Sequence, residues 1–146
     1  MGKVEKSAGA VIYYIASSEP RFLLVKSNYW GFVKGWIESG ESIEQTAKRE
    51  AKEEVNLDLT FIQGFKETQH WVYRWEGNLV NKETIFLLAQ ITKEQSKQVK
   101  ISDEHSDLGF FTLEQALGKM KIKNNKELIE KAYKFIKGNE KQKTLI

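Results

Sequence analysis

Apolar residues run almost unbroken through Gly9 to Ile15 (GAVIYYI) and again through Arg21 to Lys26 (RFLLVK), with the polar turn residues Ser17-Ser18-Glu19-Pro20 between them. Short apolar runs bounded by such a turn predict two strands joined as a hairpin. Trp30 to Trp36 (WGFVKGW) predicts a short extended segment leading through Glu38-Ser39-Gly40-Glu41 into a helix from Ser42 to Glu54, where Ser42 and Gln45 fit a capping box. The helix ends near Asn56, a residue that tolerates the left-handed turn of a helix C-terminus. Leu57 to Lys66, Thr68 to Trp75 and Glu83 to Ile91 predict further strands, with Glu76-Gly77-Asn78 as a turn, and Leu108 to Thr112 is another apolar strand. Thr112 caps a short helix through Leu117. Asn125 caps a second from Lys126 to Lys137, which stops at Gly138 with Leu128, Ile129, Ala132, Tyr133 and Ile136 on one face. Residues 139–146 read as a frayed tail. Mixed strands with helices before and after them imply an α/β layered domain.

At 146 residues and 40% hydrophobic content, the chain has one core and reads as one domain over residues 1–146, without repeat, low-complexity tract or linker. The absence of cysteine removes disulfides, thiolate metal sites and thiol nucleophiles, and agrees with a reducing compartment. No apolar run is long enough to span a bilayer, and the first ten residues do not resemble a secretory leader. The expectation is a soluble cytoplasmic protein with no membrane association and no obligate protein partner. A net charge of +3, with both signs interspersed, does not amount to a duplex nucleic-acid footprint.

The chemistry begins where the helix pattern conflicts with itself. At about 100° per residue, Glu50 and Glu54 fall on the face of Ile43 and Ala47, with Glu53 at its edge, while Glu44, Gln45, Lys48 and Lys52 supply the solvated side. Like charges at i, i+4 cost a few tenths of a kcal/mol even in water, and unpaired carboxylates turned toward a protein interior cost several kcal/mol more. A cation should therefore sit there. Magnesium suits this donor set because it takes hard oxygen ligands and is commonly shared between a few carboxylates and substrate phosphates. Such an ion would neutralise pyrophosphate charge and activate water for in-line attack on phosphorus, so the expected reaction is hydrolysis of a phosphoanhydride. The competing account of these charges is an ordinary salt-bridged surface helix.

Gly35, five residues, Glu41, seven residues and then Arg49-Glu50-Ala51-Lys52-Glu53-Glu54-Val55-Asn56-Leu57 resembles the Nudix box, with Ala51 at an aliphatic position and Asn56 where the family has glycine. The resemblance implies an α/β/α sandwich with a mixed sheet. It also implies metal ligation by Glu50, Glu53 and Glu54 together with the Gly35 carbonyl, Mg2+ being the ion and Mn2+ a substitute. Arg49 becomes an orienting residue, and Lys34 a phosphate contact.

Beyond residues 35–57, Ser7-Ala8-Gly9-Ala10, Trp30 through Gly35, Gly64-Phe65-Lys66 and Ser102 through His105 are similar to the asymmetrical diadenosine tetraphosphate hydrolases of that family. This likeness puts Glu104 in the role of loop metal ligand or general base, with Asp103 an alternative, and leaves open whether Glu53 or Glu104 is the base. It puts Phe86 against adenine. Trp36 stands where these enzymes usually carry histidine and Val33 where they often carry proline. Trp36, Lys66 and His105 complete the expected substrate contacts, and Lys82 is a further phosphate contact. Trp71, Tyr73 and Trp75 share one sheet face, where they either stack a base or cover the sheet.

The expected substrate is a small nucleotide, foremost diadenosine tetraphosphate split to ATP and AMP. Alternatives are an RNA 5′ end, a nucleoside triphosphate, or nucleotide sensing without catalysis.

Overall fold

The computed structural model describes residues 3–145. Strands β1 (Lys3–Ala16) and β2 (Glu19–Lys26) form the expected hairpin, turned by Ser17 and Ser18, both with positive φ. The predicted Trp30–Trp36 segment is divided into β3 (Trp30–Gly31) and β4 (Val33–Trp36), which pair with different strands: β3 with β2 and β4 with β1. Helix α1 (Ile43–Val55) starts at the Ser42/Gln45 capping box and ends at Asn56 in the left-handed conformation, as its sequence requires. A long hairpin of β5 (Glu67–Trp75) and β6 (Asn78–Gln90) turns at Glu76 and Gly77. The order is completed by α2 (Lys93–Ser96), β7 (Asp107–Phe111), α3 (Leu113–Lys119) and α4 (Lys123–Leu145).

The sheet runs β3-β2-β1-β6-β5, with β4 on β1 and β7 on β2, and β1 and β6 are parallel while their other neighbours are antiparallel. Side-chain alternation sends Val11, Tyr13, Phe22, Leu24, Phe86 and Leu88 toward α3 and α4. Ala10, Ile12, Leu23, Val25, Val33 and Ala89 go to the other face, with Ala51 and Val55 of α1. The result is the expected α/β/α sandwich, and burial on both faces explains why these strands read as apolar runs rather than alternating ones.

Several expectations are corrected. Leu57 to Lys66 is an irregular connection that pairs with the sheet at a Phe61–Ala89 bridge, because Gln63 and Gly64 form a turn there and Leu57 and Leu59 are apolar plugs under α1. The short α2, opened by a Thr92/Gln95 capping box, was not expected. Asn125 does not cap α4, since that helix has already begun at Lys123 and the Asn125 side chain is turned inward. Nor do residues 139–145 leave the helix. Gly138 continues it, and Lys137 bonds Glu19 at 3.1 Å and Glu140 at 3.4 Å across the region where the stop was expected. Residue 146 lies outside the described residues.

Candidate functional site

Arg49 is the organising group of the acidic helix. Its Nε donates to Glu41 Oε2 at 2.7 Å and its Nη2 to Glu41 Oε1 at 3.0 Å, a bidentate pair. Nη1 donates to Glu50 at 2.8 Å and to Glu53 at 3.3 Å, and Nη2 also reaches the Trp36 carbonyl at 3.0 Å. Glu41 accepts in addition from Thr46 Oγ1 at 2.9 Å and the Glu38 backbone N–H at 3.0 Å. Arg49 and these donors hold the Glu41 carboxyl at a pKa of about 2, and the same contacts raise that of Arg49. This network ties the β4 end, the connecting loop and α1 into one unit.

Glu54 has the opposite surroundings. It is 6% exposed, and its Oε2 is a buried oxygen without a hydrogen-bond partner. Burial first, then repulsion from the Glu50 and Glu104 carboxylates, pushes its pKa up to about 8. Burial also raises Glu50, against the pull of Arg49. Gly35 makes room for this crowding, because a Cβ there would land on the Glu50 carboxyl. Among the described residues no three acidic or imidazole side chains form a closed metal cage. Glu53 is drawn aside by Arg49 and is 59% exposed. An orphaned, buried carboxylate oxygen under the influence of two further carboxylates is still an all-oxygen donor set, and it fits a hard divalent ion that keeps several waters.

Glu54 opens into a cleft of about 610 Å3 that Lys34, Trp36, Lys82, Glu104 and His105 also line. Lys34 keeps an open face on the cleft, yet the surrounding walls and then the neighbouring Lys82 ammonium push its pKa down to about 8. Lys82 lies 5.4 Å from the centre of the Trp36 ring, a cation–π contact. Burial lowers His105 below the ordinary histidine range, against the influence of Glu104, and Ser102 Oγ lies 3.2 Å from its Nδ1. Asp103 is exposed and outside the lining.

Two expected substrate contacts are elsewhere. Phe86 is 1% exposed and packs edge-on against Phe32, 5.7 Å between ring centres, beneath Leu128, Ile129 and Ala132 of α4. It belongs to the core because α4 covers that stretch of β6. Lys66 is exposed beyond the cleft, on the connection after the Gly64 turn. The aromatic surface comes instead from Trp71 and Tyr73 on β5 and from Tyr29 and Trp30 on the opposite side; Trp75 does not line the cleft. Tyr73 donates its hydroxyl to Glu5. Below Trp71 on the same face, Gln69 pairs with Thr84 of β6, and Thr84 with Ser7 of β1, a buried polar row.

The NUDIX domain family matches residues 6–132. The chain belongs to the NUDIX family. This NUDIX protein is 33% identical over 122 residues to asymmetrical bis(5′-nucleosyl)-tetraphosphatase of Sus scrofa, covering 79% of this chain and 80% of that one. It is 30% identical over 139 residues to the enzyme of the same name from Caenorhabditis elegans, covering 92% and 99%. Its fold superposes on a crystal structure of a C. elegans Ap4A hydrolase binary complex with a TM-score of 0.79 at 30% identity, over 92% of this NUDIX chain and 98% of the other. No helix among the described residues is long and apolar enough to cross a membrane.

Proposed function

We propose that this NUDIX protein hydrolyses a phosphoanhydride bond of a nucleoside polyphosphate, and that it splits diadenosine tetraphosphate to ATP and AMP. The observation that carries the reading is the partnerless Glu54 oxygen at the wall of a cleft that also holds two lysines, a second carboxylate, a histidine and several aromatic rings. The kinship with the tetraphosphatases of Sus scrofa and C. elegans supports the substrate.

Glu50, Glu54 and the Gly35 carbonyl are the residues that would hold Mg2+, with Mn2+ as a substitute and Glu53 and Glu104 within the same acidic group. Bound there, the ion would offset phosphate charge and favour ionisation of the attacking water. Arg49 fixes Glu50 and Glu53 in place. Of the two candidate bases, Glu104 is favoured, because it faces the cleft whereas Glu53 is held by Arg49. Glu104 takes the water proton as the new P–O bond forms and the bridging P–O bond breaks, the electron pair leaving on the departing phosphate. Lys34 and Lys82 hold non-bridging oxygens, neutral His105 donates a hydrogen bond, and Trp71 and Tyr73 offer faces to a base in place of Phe86. The cysteine-free sequence suits the cytoplasm as the place of action.

The test is purified protein with magnesium against dinucleoside polyphosphates, nucleoside triphosphates and 5′-triphosphorylated RNA, with products separated. ATP plus AMP formed from the tetraphosphate faster than any other release is expected. Preference for the RNA would replace this reading by 5′-end pyrophosphate removal, and no turnover of any of them would end it.

A further inference from the structure

In the wall of the same cleft, two buried side-chain amides meet. Gln69 on β5 and Asn125 in the first turn of α4 are 8% and 9% exposed, both line the cleft, and Gln69 Nε2 donates to Asn125 Oδ1 at 3.0 Å. Whichever way the two amides are turned, one N–H···O bond between them leaves one carbonyl oxygen and one NH2 group unused. The buried side-chain polar atoms that lack a partner among the described residues are Glu54 Oε2 and Thr84 Oγ1. The unused amide ends are not among them, so they reach open space: for Asn125 that is the cleft, and for Gln69 it is the cleft and a smaller hollow of about 150 Å3 between β5 and α4. Gly31 keeps that space clear, since a Cβ at Gly31 would lie 3.3 Å from Asn125 Nδ2. A pair serving only to tie β5 to α4 would need neither the open ends nor the missing side chain beside them.

We propose that the Gln69–Asn125 pair reads the edge of the adenine base, the free carbonyl oxygen accepting from the exocyclic N6 amino group and the free NH2 donating to the adjacent ring nitrogen. This deepens the proposed function and takes the identity of the base from it. Trp71, two residues along β5 on the same sheet face, supplies a ring beside the amides. Stacking tolerates every base, whereas a site built to hydrogen-bond an amino group rejects an analogue that lacks it. An adjacent acceptor and donor match adenine, as single Asn or Gln amides do in grooves of DNA.

The experiment is calorimetric binding, with magnesium, of AMP, GMP and purine riboside 5′-monophosphate, which lacks the amino group, to the whole protein and to Gln69→Leu and Asn125→Asp. The unaltered protein should bind AMP roughly tenfold or more tightly than the amino-free analogue, and Gln69→Leu should erase that ratio. In Asn125→Asp the Gln69 amide still donates across, leaving two acceptors toward the cleft. The variant should then shift the AMP:GMP ratio toward guanine, which offers two adjacent donors, by about tenfold. Gln69→Glu leaves the same two acceptors and serves if Asn125→Asp does not melt as a folded protein. Equal binding of AMP and its amino-free analogue by the unaltered protein, or unchanged ratios in folded variants, would overturn the proposal. Binding ratios that behave as stated in a protein that turns over no polyphosphate would sink the hydrolytic reading and leave base recognition standing.

Discussion

Two carboxylates at opposite ends of α1, Glu41 just before it and Glu54 in its last turn, have opposite surroundings. Glu41 is saturated: two bonds from Arg49, one from Thr46 and one from a backbone N–H hold it ionised far below the usual carboxylate range. Glu54 is starved, with a buried oxygen that has no hydrogen-bond partner among the described residues and a proton affinity raised by burial and two acidic neighbours. Saturated charge positions the backbone. An unsatisfied buried carboxylate is costly and calls for a partner, which a bound cation would supply. Arg49 links the two, because the guanidinium that saturates Glu41 also grips Glu50 and Glu53.

The sharpest way to break this contrast is to remove the starved group. Glu54→Gln keeps the shape and removes the charge, and it is expected to lower kcat by more than about a hundredfold, beyond the range for losing an outer-shell partner of a metal. Thermal melting should show the variant folded. Activity within a few-fold of the unaltered enzyme would show that Glu54 holds no ion.

Removing the saturating group should do less. Arg49→Lys retains a positive charge but cannot make a bidentate pair with Glu41 while reaching Glu50, so a loss of roughly 10- to 100-fold in kcat/KM is expected, with the metal requirement shifted to higher concentration. An unchanged metal titration would place Arg49 outside the positioning of Glu50. Smaller again is Gly35→Ala, whose added Cβ collides with the Glu50 carboxyl. Displacement of that carboxyl or of β4 should cost about 1–3 kcal/mol in stability, read by denaturant titration, together with weaker metal binding.

The acidic helix was more legible in the sequence than the cleft. Ser42, Gln45 and Asn56 state the limits of α1 through local hydrogen bonding, and carboxylates on its apolar face call for a cation without any knowledge of the fold. The cleft is assembled from separate strands, and its membership depends on register. Phe86 and Lys82 point to the same face of β6, but α4 covers the first and leaves the second open, a distinction no periodicity in β6 carries. Gln69 had a usable signal, since it shares the parity of Trp71 and Tyr73, whereas Asn125 was hidden by its resemblance to a helix cap. The role of Glu41 could not be read because its partner is eight residues away, across the start of the helix.

The mildest probe of the contrast is pH acting on the metal-free protein. The Glu54 pKa is near 4.5 in the unfolded chain and about 8 in the folded one, so between those values the folded state binds the extra proton. Stability from this group is therefore complete below about pH 4.5, declines as pH rises toward 8, and is level above it. Glu41 acts in the opposite sense, its folded pKa of about 2 lying below 4.5, so its contribution is present above 4.5 and is lost only as pH falls toward 2. Between pH 5 and 8 the Glu41 contribution is nearly constant and Glu54 sets the slope of the two. Melting of the metal-free protein should fall by a few degrees over that interval, at about 2–4 °C per kcal/mol for a chain of this size. Glu54→Gln should flatten the decline and melt higher than the unaltered protein at pH 8, while magnesium should raise the unaltered protein at pH 8 and leave the variant little changed. If the decline persisted in Glu54→Gln, the proton taken up on folding would have to sit elsewhere in the acidic group.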